Sequence, residues 1–197
     1  NQILNIFTIN IGFIFIFLSS ICTILNIYTF VKTPLRTSTK NIGEYKNFGK
    51  YINQSKQLGY TYKKNISINS TKIKEEKNKL ETIYDVNYKT DNYGNRKLPQ
   101  IIEEGKDSIV FLGCSHTFGE GLNDDQTLPY YLSKMSGLNS INTGMHGYGT
   151  HQALMLISDK ELIKERFAGK KISHVIYRAS TGHISRAAGY APWDKFR

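Results

Sequence analysis

The chain has 197 residues, 26 Lys and Arg against 16 Asp and Glu, a formal net charge of +10 and 40% hydrophobic residues. That length allows one domain with a real core plus an appendage and excludes a large multidomain assembly. The basicity is regional: Lys32 to Lys79 holds 12 basic residues against three acidic ones, whereas residues 81–197 hold 14 against 13. With no RNA-binding or zinc-finger pattern in that stretch, no nucleic-acid partner is expected. Two cysteines, Cys22 and Cys114, do not suggest a disulfide framework.

Residues 1–31 carry no charge, and Ile9 to Leu25 is rich in Ile, Phe and Leu. The run from Ile3 to Val31 is long enough to cross a bilayer when tilted, so residues 1–31 are expected to form one transmembrane helix, with residues 3–31 in contact with lipid. A cleaved signal peptide fits less well, because the run is long and no small-x-small cleavage pattern follows it. Residues 32–80 are polar and basic with sparse apolar positions and read as a linker beside the membrane, with one short helix near Ile73 to Leu80. Thr82 to Thr90 alternates well enough for an extended segment. Asp91-Asn92-Tyr93-Gly94 reads as a turn, with Gly94 suited to positive φ.

Asp107 to Gly121, DSIVFLGCSHTFGEG, carries the strongest local signal. Ile109 to Leu112 has the length and composition of a buried strand, and it breaks into the small-residue turn Gly113-Cys114-Ser115. A hydroxyl is thereby delivered to a strand end, where backbone N–H groups of a following helix stabilise negative charge. Asn123-Asp124-Asp125 supplies N-cap candidates for a helix through Leu128, Tyr131, Leu132 and Met135. Ser140 to Asn142 reads as a second strand, His151 to Phe167 as one helix ended by Gly169, and Val175 to Tyr177 as a third strand. Strand, helix, strand, helix, strand with short links implies a parallel sheet. The strand ends at Cys114/Ser115, His146/Gly147 and Gly182/His183 then share one edge.

Gly113-Cys114-Ser115-His116-Thr117-Phe118-Gly119-Glu120-Gly121 resembles the first block of the SGNH (GDSL) hydrolases, usually Gly-Asp-Ser followed by a few residues and Gly. Asn142-Thr143-Gly144-Met145-His146-Gly147 is similar to their Asn-x-x-x-x-Gly element. The resemblance covers Tyr84 to Arg197. It implies an α/β protein with the three-layer α/β/α, flavodoxin-like parallel sheet of that family, here residues 81–197 as the N-terminal part of the domain. It further implies a serine hydrolase or acyltransferase acting on ester (O-acyl) bonds, with no cofactor or metal and an acylated small molecule, glycan or lipid as substrate. Ser115 is then the nucleophile and Gly147 an oxyanion donor.

Three departures follow from the same comparison. The third block, normally Gly-x-Asn-Asp, falls on Ser180-Thr181-Gly182-His183, which puts Gly182 where the asparagine belongs and leaves His183 as a substitute donor. Cys114 replaces the first-block aspartate. The Asp-x-x-His that supplies the base is not reached by Arg197, so the chain is expected to be a fragment. Lys32, Arg36 and Lys40 favour a cytoplasmic domain by charge, whereas anchored relatives are expected to face outward; the extracytoplasmic side is preferred.

Other readings stay open. A catalytically degenerate binding or assembly module keeps the fold without the full constellation. A zinc site built from Cys114 and His116 with His146, His151 or His183 is a weaker alternative. Ser115 can also be a simple N-cap and Gly147 a simple turn residue.

Overall fold

The structure is a computed structural model that describes residues 15–28, 38–42, 44–76, 79–103 and 105–188. After a helix over residues 15–28 (α1), five strands follow: β1 Ser38–Ile42, β2 Ile52–Ser55, β3 Gly59–Tyr62, β4 Ser67–Glu76 and β5 Lys79–Lys89. The second half contains β6 Ser108–Leu112, α2 Ser115–Phe118, α3 Leu128–Ser136, β7 Asn139–Asn142, α4 Thr150–Ser158, α5 Lys160–Phe167, β8 Ile172–Tyr177 and α6 Thr181–Ala187.

β6, β7 and β8 lie where the sequence predicts strands, and they pair in parallel in the order β7-β6-β8. All five residues of β6 are buried, as expected of a central strand covered on both faces. The predicted helix from His151 to Phe167 is broken in two. Asp159 leaves helical geometry and its carboxylate accepts the N–H groups of Glu161 and Leu162, so it caps α5. Leu128, Tyr131 and Met135, grouped by helical spacing, are exposed.

The expected three-layer parallel fold is corrected by the remaining strands. β1, β4 and β5 form an antiparallel sheet, and β2 and β3 an antiparallel hairpin, giving a mixed α/β architecture. The linker reading of residues 32–80 fails for the same reason, and the short helix near Ile73 is the turn-side half of the β4–β5 pair. Residues 32–37 lie outside the described residues. Hydropathy missed these strands because their inward positions are not all apolar. Ile68 faces Tyr88 and Ser70 faces Val86, so a buried serine interrupts the period of two. The extended reading of residues 82–90 is met by β5, and Gly94 has φ +80 in the predicted turn.

The membrane reading is also corrected. Among the described residues no helix is long and apolar enough to cross a membrane. The single-pass assignment of residues 1–31, and the membrane localisation built on it, therefore do not stand; residues 3–14 and 29–31 of that span lie outside the described residues.

One hydrophobic core joins the two halves. Tyr60, Tyr62 and Tyr88 from the antiparallel strands pack with Phe118, Met145 and Tyr148 from the loops that follow β6 and β7. The antiparallel part is thus the wall against which the strand-end loops are held.

Candidate functional site

Ser115 opens α2 immediately beyond β6. Gly113 turns the chain at φ +153, where a side chain is strained, and a Cβ there would sit 2.1 Å from Thr117 Oγ1. Cys114 follows in extended geometry, and its carbonyl accepts the N–H groups of Thr117 and Phe118, both at 2.9 Å. The helix stops after one turn at Gly119, φ +86. Ser115 is half-buried, and its hydroxyl makes no hydrogen bond among the described residues. Cys114 is a buried free thiol beneath it, while His116 is exposed.

The second loop is bound to the first. Thr143 donates its N–H and its hydroxyl to the Phe111 carbonyl at 3.0 and 2.7 Å, and the Met145 N–H reaches the Gly113 carbonyl at 3.2 Å. The Asn142 amide donates to the carbonyls of Thr117 and Phe118, and its oxygen accepts the Gly144 N–H. Gly147 is the third residue of a turn closed by Tyr148 N–H to the Met145 carbonyl, and its φ of +81 is the value such a position requires. The turn role assigned to Gly147 as an alternative is therefore present, and it leaves Gly147 half-buried beside the Ser115 loop.

The third strand end closes the group. The Arg178 N–H donates to the Leu112 carbonyl, and the Arg178 carbonyl would lie 3.2 Å from a Cβ on Gly113. Five residues later His183 is 2% exposed, with Nδ1 2.5 Å from Tyr177 Oη. Burial first, then Arg186, Arg178 and His116, hold its pKa below the ordinary histidine value. Gly182 sits at the start of α6 with no side chain to offer.

Sequence reasoning missed two supports. Arg96 is buried, and its guanidinium bonds Asp124 and the carbonyls of Phe118, Gly119 and Leu122. Its partners lie more than twenty residues away, so no local pattern marks it. The other is a tyrosine set. Tyr60 donates to the His146 carbonyl, Tyr62 meets His146 Nδ1, Tyr148 donates to the Tyr60 carbonyl, and Tyr88 accepts the Gly121 N–H. The alternation of Tyr60 and Tyr62 after Gly59 was the available signal.

His146 is buried, and that burial, reinforced by Arg96 and Lys72, lowers its pKa to about 3. The folded state therefore binds fewer protons here than the unfolded chain, so stability is complete above pH 6.5 and falls as pH drops toward 3. Between pH 6.5 and 5 His146 alone withdraws about 2 kcal/mol. Urea midpoints at the two pH values should show this fall, with a shallower one in His146→Gln; an unchanged slope in the variant would assign the effect elsewhere. His183 adds to it with the same sign.

The zinc alternative finds no support: among the described residues no group of three His, Cys, Asp or Glu side chains could hold a metal. A polar cavity of about 330 Å³ lies at the opposite, amino-terminal end of the parallel strands, around Ser108 and Asn139, away from Ser115. Compared with known proteins, the chain matches no family model and no curated sequence.

Proposed function

We propose that this chain carries an SGNH-like ester-processing site with Ser115 as nucleophile. The Ser115 Oγ would attack the carbonyl carbon of an O-acyl substrate, an acylated small molecule, glycan or lipid, its proton passing through water to the oxygen of the departing alcohol. The tetrahedral oxygen would be held by the N–H groups of Ser115 and Gly147 and by His183. Collapse would expel the alcohol, and water or a second alcohol would take the acyl group from serine. The observation that carries this reading is the half-buried, unbonded Ser115 hydroxyl at the end of β6, next to the Gly113 turn on which the Gly147 loop is bonded.

A second reading, a binding or assembly module descended from such a site, is favoured by one observation. Among the described residues no imidazole or carboxylate bonds the Ser115 hydroxyl, and Gly182 supplies no third-block amide. A fluorophosphonate probe separates the two. Labelling of the folded chain that vanishes in Ser115→Ala is the expected result. Folded protein that is never labelled and does not turn over p-nitrophenyl esters would favour the binding module.

A further inference from the structure

Tyr177 closes β8, and its hydroxyl stands between two other elements. Oη is 3.2 Å from Thr150 Oγ1, the first residue of α4, and 2.5 Å from His183 Nδ1 in α6. The phenol ring also stacks on the imidazole, centroids 5.5 Å apart and planes 23° from parallel. The other ring nitrogen, Nε2, is buried and has no partner among the described residues. Buried polar atoms are nearly always bonded, so one left open on the helix that follows β8 is a candidate for a ligand contact.

The direction of the proton follows from acid strength. A phenol O–H is more acidic than an imidazole N–H, and an imidazole nitrogen is a better acceptor than a phenol oxygen. Tyr177 therefore donates to Nδ1 and accepts from the Thr150 hydroxyl, and the single ring proton is left on Nε2. Burial and the facing cations Arg178 and Arg186 oppose a second proton. Arg186 also donates to the Tyr148 carbonyl at 2.7 Å, which fastens α6 to the residue after Gly147.

We propose that Thr150 and Tyr177 are positioning residues that lock His183 as the Nε2–H tautomer, a fixed hydrogen-bond donor for the substrate oxyanion where Gly182 has no side chain. This rests on the Ser115 reading. It also means that His183 is not the base for Ser115, since its unpartnered nitrogen already carries a proton.

The test has two arms on the whole chain. Long-range proton–nitrogen correlation spectra of the ¹⁵N-labelled protein at pH 7, assigned with His183→Gln, should show Nε2 protonated and Nδ1 bare. In Tyr177→Phe, which keeps the stacked ring, the signal should shift toward a tautomer mixture. A proton on Nδ1 in the wild type, or an unchanged spectrum in Tyr177→Phe, would overturn the relay. In the second arm, ester turnover should fall about 100-fold or more in His183→Ala and recover most of that loss in His183→Asn, which restores a donor but no base. Failure of His183→Asn to exceed His183→Ala would overturn the donor role. Absence of Ser115 labelling in the wild type would overturn the oxyanion role together with the functional reading, and the spectra would still decide the relay.

Discussion

Arg96→Met is expected to destabilise the chain by about 3–5 kcal/mol, the usual cost of removing one partner from a buried ion pair. The Arg96 side chain is 0% exposed, with Nε and Nη2 on Asp124 Oδ1 at 3.0 and 2.8 Å. Nη1 reaches the carbonyls of Phe118 and Gly119 at 3.2 and 3.3 Å, and Nη2 that of Leu122 at 2.8 Å. The guanidinium is also 4.6 Å from the ring centroids of both Tyr88 and Phe118. Methionine fills the space between the rings but leaves three carbonyls and a carboxylate without their donor. Burial pulls the Arg96 pKa down and Asp124 opposes that pull, so the pair is held together by mutual need. For a chain of this size the loss corresponds to a melting temperature lower by roughly 6–20 °C. Arg96→Lys should recover only part of it, because a point charge cannot serve four acceptors in one plane. Since the freed acceptors belong to the end of α2 and the segment after it, any labelling of Ser115 should also drop at temperatures where the variant is still folded. A change below about 1 kcal/mol would mean that this network is not what holds the segment.

Gly144→Ala should cost about 3 kcal/mol, at the upper end for inserting a methyl group into a packed site. A Cβ there would lie 2.4 Å from Phe118 N and 2.8 Å from both Thr117 C and Thr117 Cβ. Two of those atoms are main chain, so no rotamer change relieves the contact. The second loop must move away from α2, stretching the Asn142 amide bonds to Thr117 and Phe118. Gly49→Ala is the control, since a Cβ at Gly49 has nothing within 4 Å; its effect should stay within about 0.5 kcal/mol. Chemical denaturation of both variants decides the matter. Equal stabilities would show that the two loops do not touch as closely as Gly144 requires.

The site could be read ahead of the structure wherever the signal was local. Ile109 to Leu112 followed by Gly113-Cys114-Ser115 is a strand and a turn by composition alone, and β6 and α2 occupy those residues. Gly94 and the three parallel strands were legible for the same reason. The stretch from Ser38 to Glu76 was not, because its core positions are filled by residues that hydropathy counts as polar. Tyr60 and Tyr62 enter the interior only because His146, more than eighty residues later, takes both hydroxyls. Ser70 is buried opposite Val86 in a strand otherwise studded with lysine. The apolar run at the start of the chain misled in the opposite way. It matched a membrane span by length and composition, yet among the described residues no helix is long and apolar enough to cross a membrane.

The residues by themselves determined the positions of strands β6 to β8, the turn that presents Ser115 and the positive φ of Gly94, since each depends on neighbours in sequence. Only the tertiary structure decided that an antiparallel wall backs the site, that Arg96 pins the Ser115 loop and that Tyr177 holds His183. Each of these rests on a buried polar group whose partner lies on another element. Such groups are admitted to a core only when the partner is in place, and local pattern carries no record of that pairing.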